Sequence, residues 1–244
     1  MSKLNAKNLV KNFSGRRVVN NVSLEINSGE VVGFLGRNGA GKTTVFQIIV
    51  GLIKPDFGKI YVDEEDYTYL PSSLRARKGL VYLPQEHSVF LKATVEENLE
   101  MIFQTVKLSY ISKIEKKKNL IRDFNLGDIL QQPAFTLSGG EKRRLETARA
   151  LILNPVFLFL DEPFSGIDPL TVTEIQKIIL FLKEKGIGVI ISDHNVRDTF
   201  EVTDRAYIIH EGEVVVSGMP EELSKNKEAK KIFLGENFKL GQEI

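Results

Sequence analysis

The sequence predicts an α/β fold: a parallel β-sheet covered by helices, with an antiparallel β subdomain at its edge and a helical insertion. Three observations carry this expectation. The runs "EVVGFLG", "NPVFLFLDEP" and "KGIGVIISDH" are continuously apolar, as strands buried on both faces of a parallel sheet must be. The first third of the chain instead alternates, with Val22, Leu24 and Ile26 of "NVSLEI" on one face. From Thr94 to about Leu130 the apolar spacing becomes helical.

Each element has its own punctuation. The strand "EVVGFLG" runs into a glycine-rich loop and then the helical "TVFQIIVGL", and a turn at "KPDFG" returns the chain to strand in "GKIYVDEEDY". Thr94-Val95-Glu96-Glu97 is a capping box that opens the helical stretch. After "NPVFLFLDEP", Asp168 is placed to cap a helix, Pro169 suits its first turn and Gly186 ends it. The expected organisation is a single domain over 1–244, with a helical subdomain at 86–150 inserted in the core and a tail at 225–244.

Composition narrows the function. The 244 residues are 42% hydrophobic and 27% charged, ordinary for a folded domain rather than a disordered one. The longest apolar runs are too short to cross a bilayer, and "MSKLNAKNLVKNF" lacks the apolar core of a secretory signal, so a cytoplasmic location is expected. Cysteine is absent, and His87, His194 and His210 are scattered, which excludes disulfides and a zinc site and leaves oxygen ligands for any metal. A net charge of +1 with acids and bases interspersed gives no footprint for nucleic acid.

The chemistry begins at "GRNGAGKTT". Gly36 to Thr43 fits G-x-x-x-x-G-K-[ST] between a buried strand and a helix, the context this phosphate-binding motif requires. Its bare backbone at Gly39 and Gly41, flanked by Arg37, Asn38, Ala40 and Thr44, lets amides turn inward around a polyphosphate, and the helix adds its positive end. Lys42 neutralises phosphate oxygens, and the Thr43 hydroxyl is placed for Mg²⁺. A second buried strand delivers Asp161 and Glu162 to the same edge of the sheet. Asp161 suits Mg²⁺, and Glu162 is free to polarise water as a general base; the plainer reading is a solvated strand end. A guanine-reading N-K-x-D element is broken by "NKEA" at Asn226.

A further loop, "TLSGGEKRR", needs its own account. Ser138 and Glu141 make a capping box, which explains a well-started helix but not the doublet Gly139-Gly140 within it. Bare backbone at a helix N-terminus suits an anion, yet the first loop already surrounds one nucleotide. The expected solution is a homodimer in which each copy offers Ser138, Gly139 and Gly140 to the ATP of the other, closing two composite sites.

With these residues in order, the chain resembles the ATP-binding cassette ATPases over nearly its whole length. "GRNGAGKTT" matches the Walker A motif, "LSGGE" the signature and "VFLFLDE" the Walker B motif. The resemblance implies a P-loop NTPase core, a helical signature subdomain and ATP with Mg²⁺ as the ligands. It further implies roles for Gln85 as the Q-loop glutamine and metal ligand, Asp168 in the D-loop and His194 as the γ-phosphate sensor. Phe13 would stack on adenine, at a position often occupied by tyrosine. The partners implied are integral membrane permease subunits, with the ATPase peripheral on the cytoplasmic face of the inner membrane. Phe90 and Leu91 are either local core or the face such a subunit grips. "EPFSGIDP", "SDHNVRDTF", "GRRVV" and "IFLGENFKL" resemble the ATPases of lipopolysaccharide export. A branched-chain amino acid importer and a soluble cassette protein without a transport role are the alternatives.

Overall fold

The computed structural model describes residues 1–240, so the last four residues of the expected tail lie outside it. The chain runs β1 (Lys3–Phe13), β2 (Arg16–Asn27), β3 (Val31–Leu35), α1 (Lys42–Ile49), β4 (Phe57–Val62), β5 (Glu65–Asp66), α2 (Ser72–Arg77) and β6 (Leu80–Leu83). It continues through α3 (Val95–Phe103), α4 (Tyr110–Asp123), α5 (Gly139–Leu151), β7 (Phe157–Asp161), α6 (Pro169–Glu184) and β8 (Gly188–Asp193). Then follow α7 (Val196–Phe200), β9 (Arg205–His210), β10 (Glu213–Gly218) and α8 (Pro220–Lys225).

Two sheets form. The antiparallel strands order as β2-β1-β4-β5, and the larger sheet orders as β10-β9-β3-β8-β7-β6, parallel except for β10 on its edge. The antiparallel subdomain is therefore a sheet of its own rather than a continuation of the parallel one. The physical reason is α1, which fills the space between the two. Phe46 stacks on Phe34 of β3 and meets Phe159 of β7 edge-on at 5.2 Å, while Val22, Leu24 and Ile26 of β2 join the same core. Burying a phenylalanine this completely contributes about 2–3 kcal/mol.

The opposite face of the parallel sheet is covered by α6, whose Val172, Ile175, Ile179 and Leu182 pack against Leu158 and Val189. Asp168 caps α6 by accepting from the amides of Leu170 and Thr171. The inserted helices share a separate core around Leu99, Phe103, Phe124 and Leu145. What read as one helical stretch is two helices, because Ser109 starts a new one by accepting from the Ser112 amide.

Register places the site. Leu35 of β3 pairs with Asp193 of β8, Asp161 of β7 pairs with Ser192, and Leu83 of β6 pairs with Leu160. The loops that follow β3, β6, β7 and β8 consequently leave the sheet at one edge, where ligands sit in open α/β folds.

Candidate active site

The phosphate loop is held open by contact with the hairpin. Gly41 has φ +104°, and a Cβ there would lie 2.7 Å from the Val18 carbonyl oxygen, so no other residue fits. Lys42 begins α1 and is 4% exposed. Its Nζ donates to the carbonyls of Gly36 at 2.7 Å and Arg37 at 3.3 Å, and lies 3.7 Å from Glu162 Oε1. Burial pushes the ammonium below the ordinary lysine range, against the opposing pull of Glu162, Asp193 and Asp161. Asn38, Gly39, Lys42, Thr44, Gln85 and Glu162 line a cavity of ≈ 270 Å³. An adjoining cavity of ≈ 670 Å³ has Arg16, Arg17 and Arg37 in its wall, with His210, Glu211 and Ala40 beside them.

The two carboxylates after β7 do different work. Asp161 is 2% exposed and accepts from three side-chain hydroxyls. Its Oδ1 accepts from Thr43 Oγ1 at 3.2 Å and from Ser192 Oγ, and its Oδ2 accepts from the Tyr82 hydroxyl at 2.8 Å. Glu162 follows in a left-handed backbone conformation, φ 44°, which turns its side chain away from Asp161 toward the cavity. Its Oε2 accepts from Gln85 Nε2 at 3.2 Å and lies 3.4 Å from His194 Nδ1. One carboxylate thus gathers Lys42, Gln85 and His194 from three different loops.

The peptide that presents His194 is fixed from below. Asp193 is fully buried and accepts from the amides of His194 at 2.7 Å, Asn195 at 2.8 Å and Phe164 at 3.1 Å. Burial pushes its carboxyl above the ordinary aspartate range, and those amides oppose the rise.

The serine-glycine loop keeps the capping box and adds a distinction. Ser138 Oγ donates to Glu141 Oε2 at 2.8 Å and accepts from the Glu141 amide at 3.3 Å. A Cβ at Gly140 would lie 3.0 Å from Glu174 Oε2, so any larger residue at 140 asks that side chain to give by a few tenths of an ångström. Gly139 has nothing within 4 Å of that position; its bareness answers to nothing in its own copy. Gly139 also edges a small crevice shared with Gln85 and Glu162. Ser138, Gly140 and Phe13 do not line the cavity over Lys42. Phe13 is 42% exposed on the hairpin, with Lys11 Nζ 5.5 Å from its ring centroid.

Four residues of the site escape a reading of the sequence. Val18 lines both cavities, Tyr82 and Ser192 hold Asp161, and Asp193 holds the His194 peptide. A signal existed for the last two: "VIISD" ends a buried strand in polar residues, as "FLFLDE" does. Tyr82 and Val18 carry no such mark.

The family described as ABC transporter matches residues 19–165, a stretch that holds the phosphate loop, the serine-glycine loop and both carboxylates. The lipopolysaccharide export system ATP-binding protein LptB of Haemophilus influenzae is 49% identical over 98% of this chain and 100% of its own length. The protein of the same name from Escherichia coli K12 is 46% identical with the same coverage. Among solved structures, an ATP-binding cassette of an ABC transporter in its ADP conformation superimposes with a TM-score of 0.87 at 27% identity, covering 97% of this chain and 100% of that one. A nucleotide-free cassette gives 0.86 at 28% identity with the same coverage.

Proposed function

The chain belongs to the ABC transporter family, and on that premise we propose that it hydrolyses ATP to drive lipopolysaccharide export from the inner membrane through separate membrane subunits. The observation that carries the chemistry is the convergence of Lys42, Gln85 and His194 on the Glu162 carboxylate within 3.2–3.7 Å. The transported cargo rests on the full-length likeness to relatives named for lipopolysaccharide export. The importer and non-transport readings draw no support from those relatives.

In this reading the loop amides from Arg37 to Thr44 cradle the ATP phosphates, Lys42 neutralises them, and Phe13 stacks on adenine. Mg²⁺ fits the donor set: the Thr43 hydroxyl and Asp161 carboxylate stand 3.2 Å apart and offer the oxygen ligands this cation prefers. Gln85, whose Nε2 is engaged by Glu162, keeps its amide oxygen for the same ion. Bound there, Mg²⁺ would neutralise charge on the terminal phosphates. Glu162 accepts a proton from the attacking water, while Gln85 and His194 hold that water and the γ-phosphate in line.

The second copy closes the site. Ser138 and the open backbone of Gly139 and Gly140 reach the ATP of the other subunit, so binding draws two copies together and hydrolysis releases them. The motion passes to permease subunits through an apolar ridge. Phe90, Leu91 and Phe135 are 46%, 51% and 62% exposed, and the Phe135 amide donates to the Leu91 carbonyl. Exposure on this scale favours the docking reading of Phe90 and Leu91 over the local-core one. No helix among the described residues is long and apolar enough to cross a membrane. The reading puts the subunit peripherally on the cytoplasmic face.

Glu162→Gln tests the core of the proposal. Steady-state hydrolysis should fall by roughly 10²–10⁴, the usual worth of a general base. ATP should then hold the chain as a dimer in light scattering. Full retained hydrolysis would remove Glu162 from this role.

A further inference from the structure

Glu146 sits on the inner face of α5 and is 1% exposed, where a leucine would fill the space without charge. A buried carboxylate is costly unless it is paired and hydrogen-bonded, so its partners explain its presence. They come from the loop after β6 and from α5 itself. Its Oε1 accepts from the Ser88 amide at 2.5 Å, and its Oε2 lies 3.2 Å from His87 Nδ1 and 3.4 Å from Arg143 Nη1. Arg149, further along α5, donates to the Ser88 carbonyl at 2.7 Å. An apolar residue at 146 could pack, but it could not hold the Ser88 amide. The residue type is therefore chosen for a connection between loop and helix rather than for filling.

The two ends of that connection matter. The loop carries Gln85, which touches Glu162, and α5 begins directly after its cap, Ser138. We propose that Glu146 is a positioning residue that ties the Gln85 loop to α5, so that contact of Gln85 with Glu162 sets how α5 presents Ser138 and Gly139 to the ATP of a second copy. This rests on the composite-site reading above and adds to it the internal link between a subunit's two half-sites. Burial raises the Glu146 carboxyl, but the His87 hydrogen bond, Arg143 and the Ser88 amide together outweigh it and hold the group below the ordinary glutamate range.

The test uses the full chain carrying Glu162→Gln, whose side-chain carbonyl can still accept from Gln85, and follows ATP-driven dimerisation by light scattering across an ATP titration. Adding His87→Ala removes one partner of Glu146 from a side chain that is 41% exposed, so the fold should survive. The dimerisation midpoint should move to higher ATP by about threefold to tenfold, while binding of a fluorescent ATP analogue to the dilute monomer changes by less than about twofold. His87→Asn, whose amide reaches the same oxygen, should restore the midpoint. Glu146→Gln should shift it in the same direction. A purely structural role would lower the melting temperature of the variants and leave the midpoint, measured well below melting, unmoved; that result overturns the proposal. An equal loss of analogue binding by the monomer also overturns it, since the effect would then lie in the phosphate loop. If the Glu162→Gln parent fails to dimerise with ATP, the composite-site reading itself is wrong and this inference falls with it.

Discussion

A glutamate in the left-handed region is unfavourable by about 1–2 kcal/mol, and Glu162 adopts φ 44° because its surroundings over-determine it. Its amide donates to the Ser192 carbonyl at 2.7 Å, and its side chain is engaged by residues from three loops. The sequence showed that two carboxylates end the strand; it could not show that a backbone turn between them gives them separate partners. Arg75 makes the same point away from the site. It is 1% exposed with no carboxylate partner among the described residues, and its guanidinium donates to the carbonyls of Ile48, Ile49, Thr68 and Leu70 at 2.5–2.9 Å. Burial pushes it down to about 10, so it remains a cation at neutral pH. Two of those carbonyls end α1, so Arg75 neutralises the negative end of the helix whose other end is proposed to hold phosphate. Arg75→Met should lower the unfolding free energy by roughly 2–4 kcal/mol in urea titrations, because buried carbonyls lose their donors. A loss below about 0.5 kcal/mol, the range of ordinary surface changes, would contradict this role. Nothing in "SSLRARKG" separates buried Arg75 from exposed Arg77, since both have the same chemistry and only tertiary packing distinguishes them.

Among the elements, local rules written in the sequence survive folding well. The capping boxes at Thr94 and Ser138, the Asp168 cap with Pro169, and the inward alternation of β2 all appear as read. These signals depend on neighbours along the chain, which is why they were legible. The separation of the two sheets was not, because it depends on α1 standing between strands distant in sequence. The turn "KPDFG" falls between these cases: the turn was visible, its anchor was not. Asp56 accepts from Lys11 Nζ at 2.9 Å, the Asn12 amide at 2.7 Å and Asn12 Nδ2 at 2.9 Å, tying the turn to the end of β1 beside Phe13. The Lys11 hydrogen bond, followed by those of Asn12, pulls its carboxyl down to about 2. A carboxyl lowered on folding stabilises the fold above its unfolded value, near 3.9, and that contribution disappears as pH falls through the folded value. Stability measured as a urea midpoint should accordingly decline between about pH 4 and 2, and Asp56→Asn should flatten part of that decline. Parallel pH profiles for the two chains would show that the contacts are not maintained in solution.

For the molecule as a whole, the site and the proposed docking ridge are joined by one short path through the inserted helices. Gln85 at the start of the loop touches Glu162, and Phe90 at its end is exposed. Asn98, fully buried on α3, accepts from the Phe90 amide at 2.9 Å and donates to its carbonyl at 3.0 Å, while the Arg149 guanidinium lies 4.9 Å from the ring centroid. The backbone at 90 is therefore held independently of the ring. Truncating the ring should leave the loop backbone in place and remove the Arg149 contact together with surface that a partner could cover. Phe90→Ala should keep the ATPase rate of the isolated protein within about twofold, while weakening retention by the membrane subunits by about 2 kcal/mol, roughly thirtyfold, as expected for an aromatic anchor. Both quantities are needed, because a disturbed loop would lower them together through Gln85. Unchanged co-purification with the membrane subunits would show that the ridge is not the contact, and the partner surface would have to be sought on another face of the inserted helices.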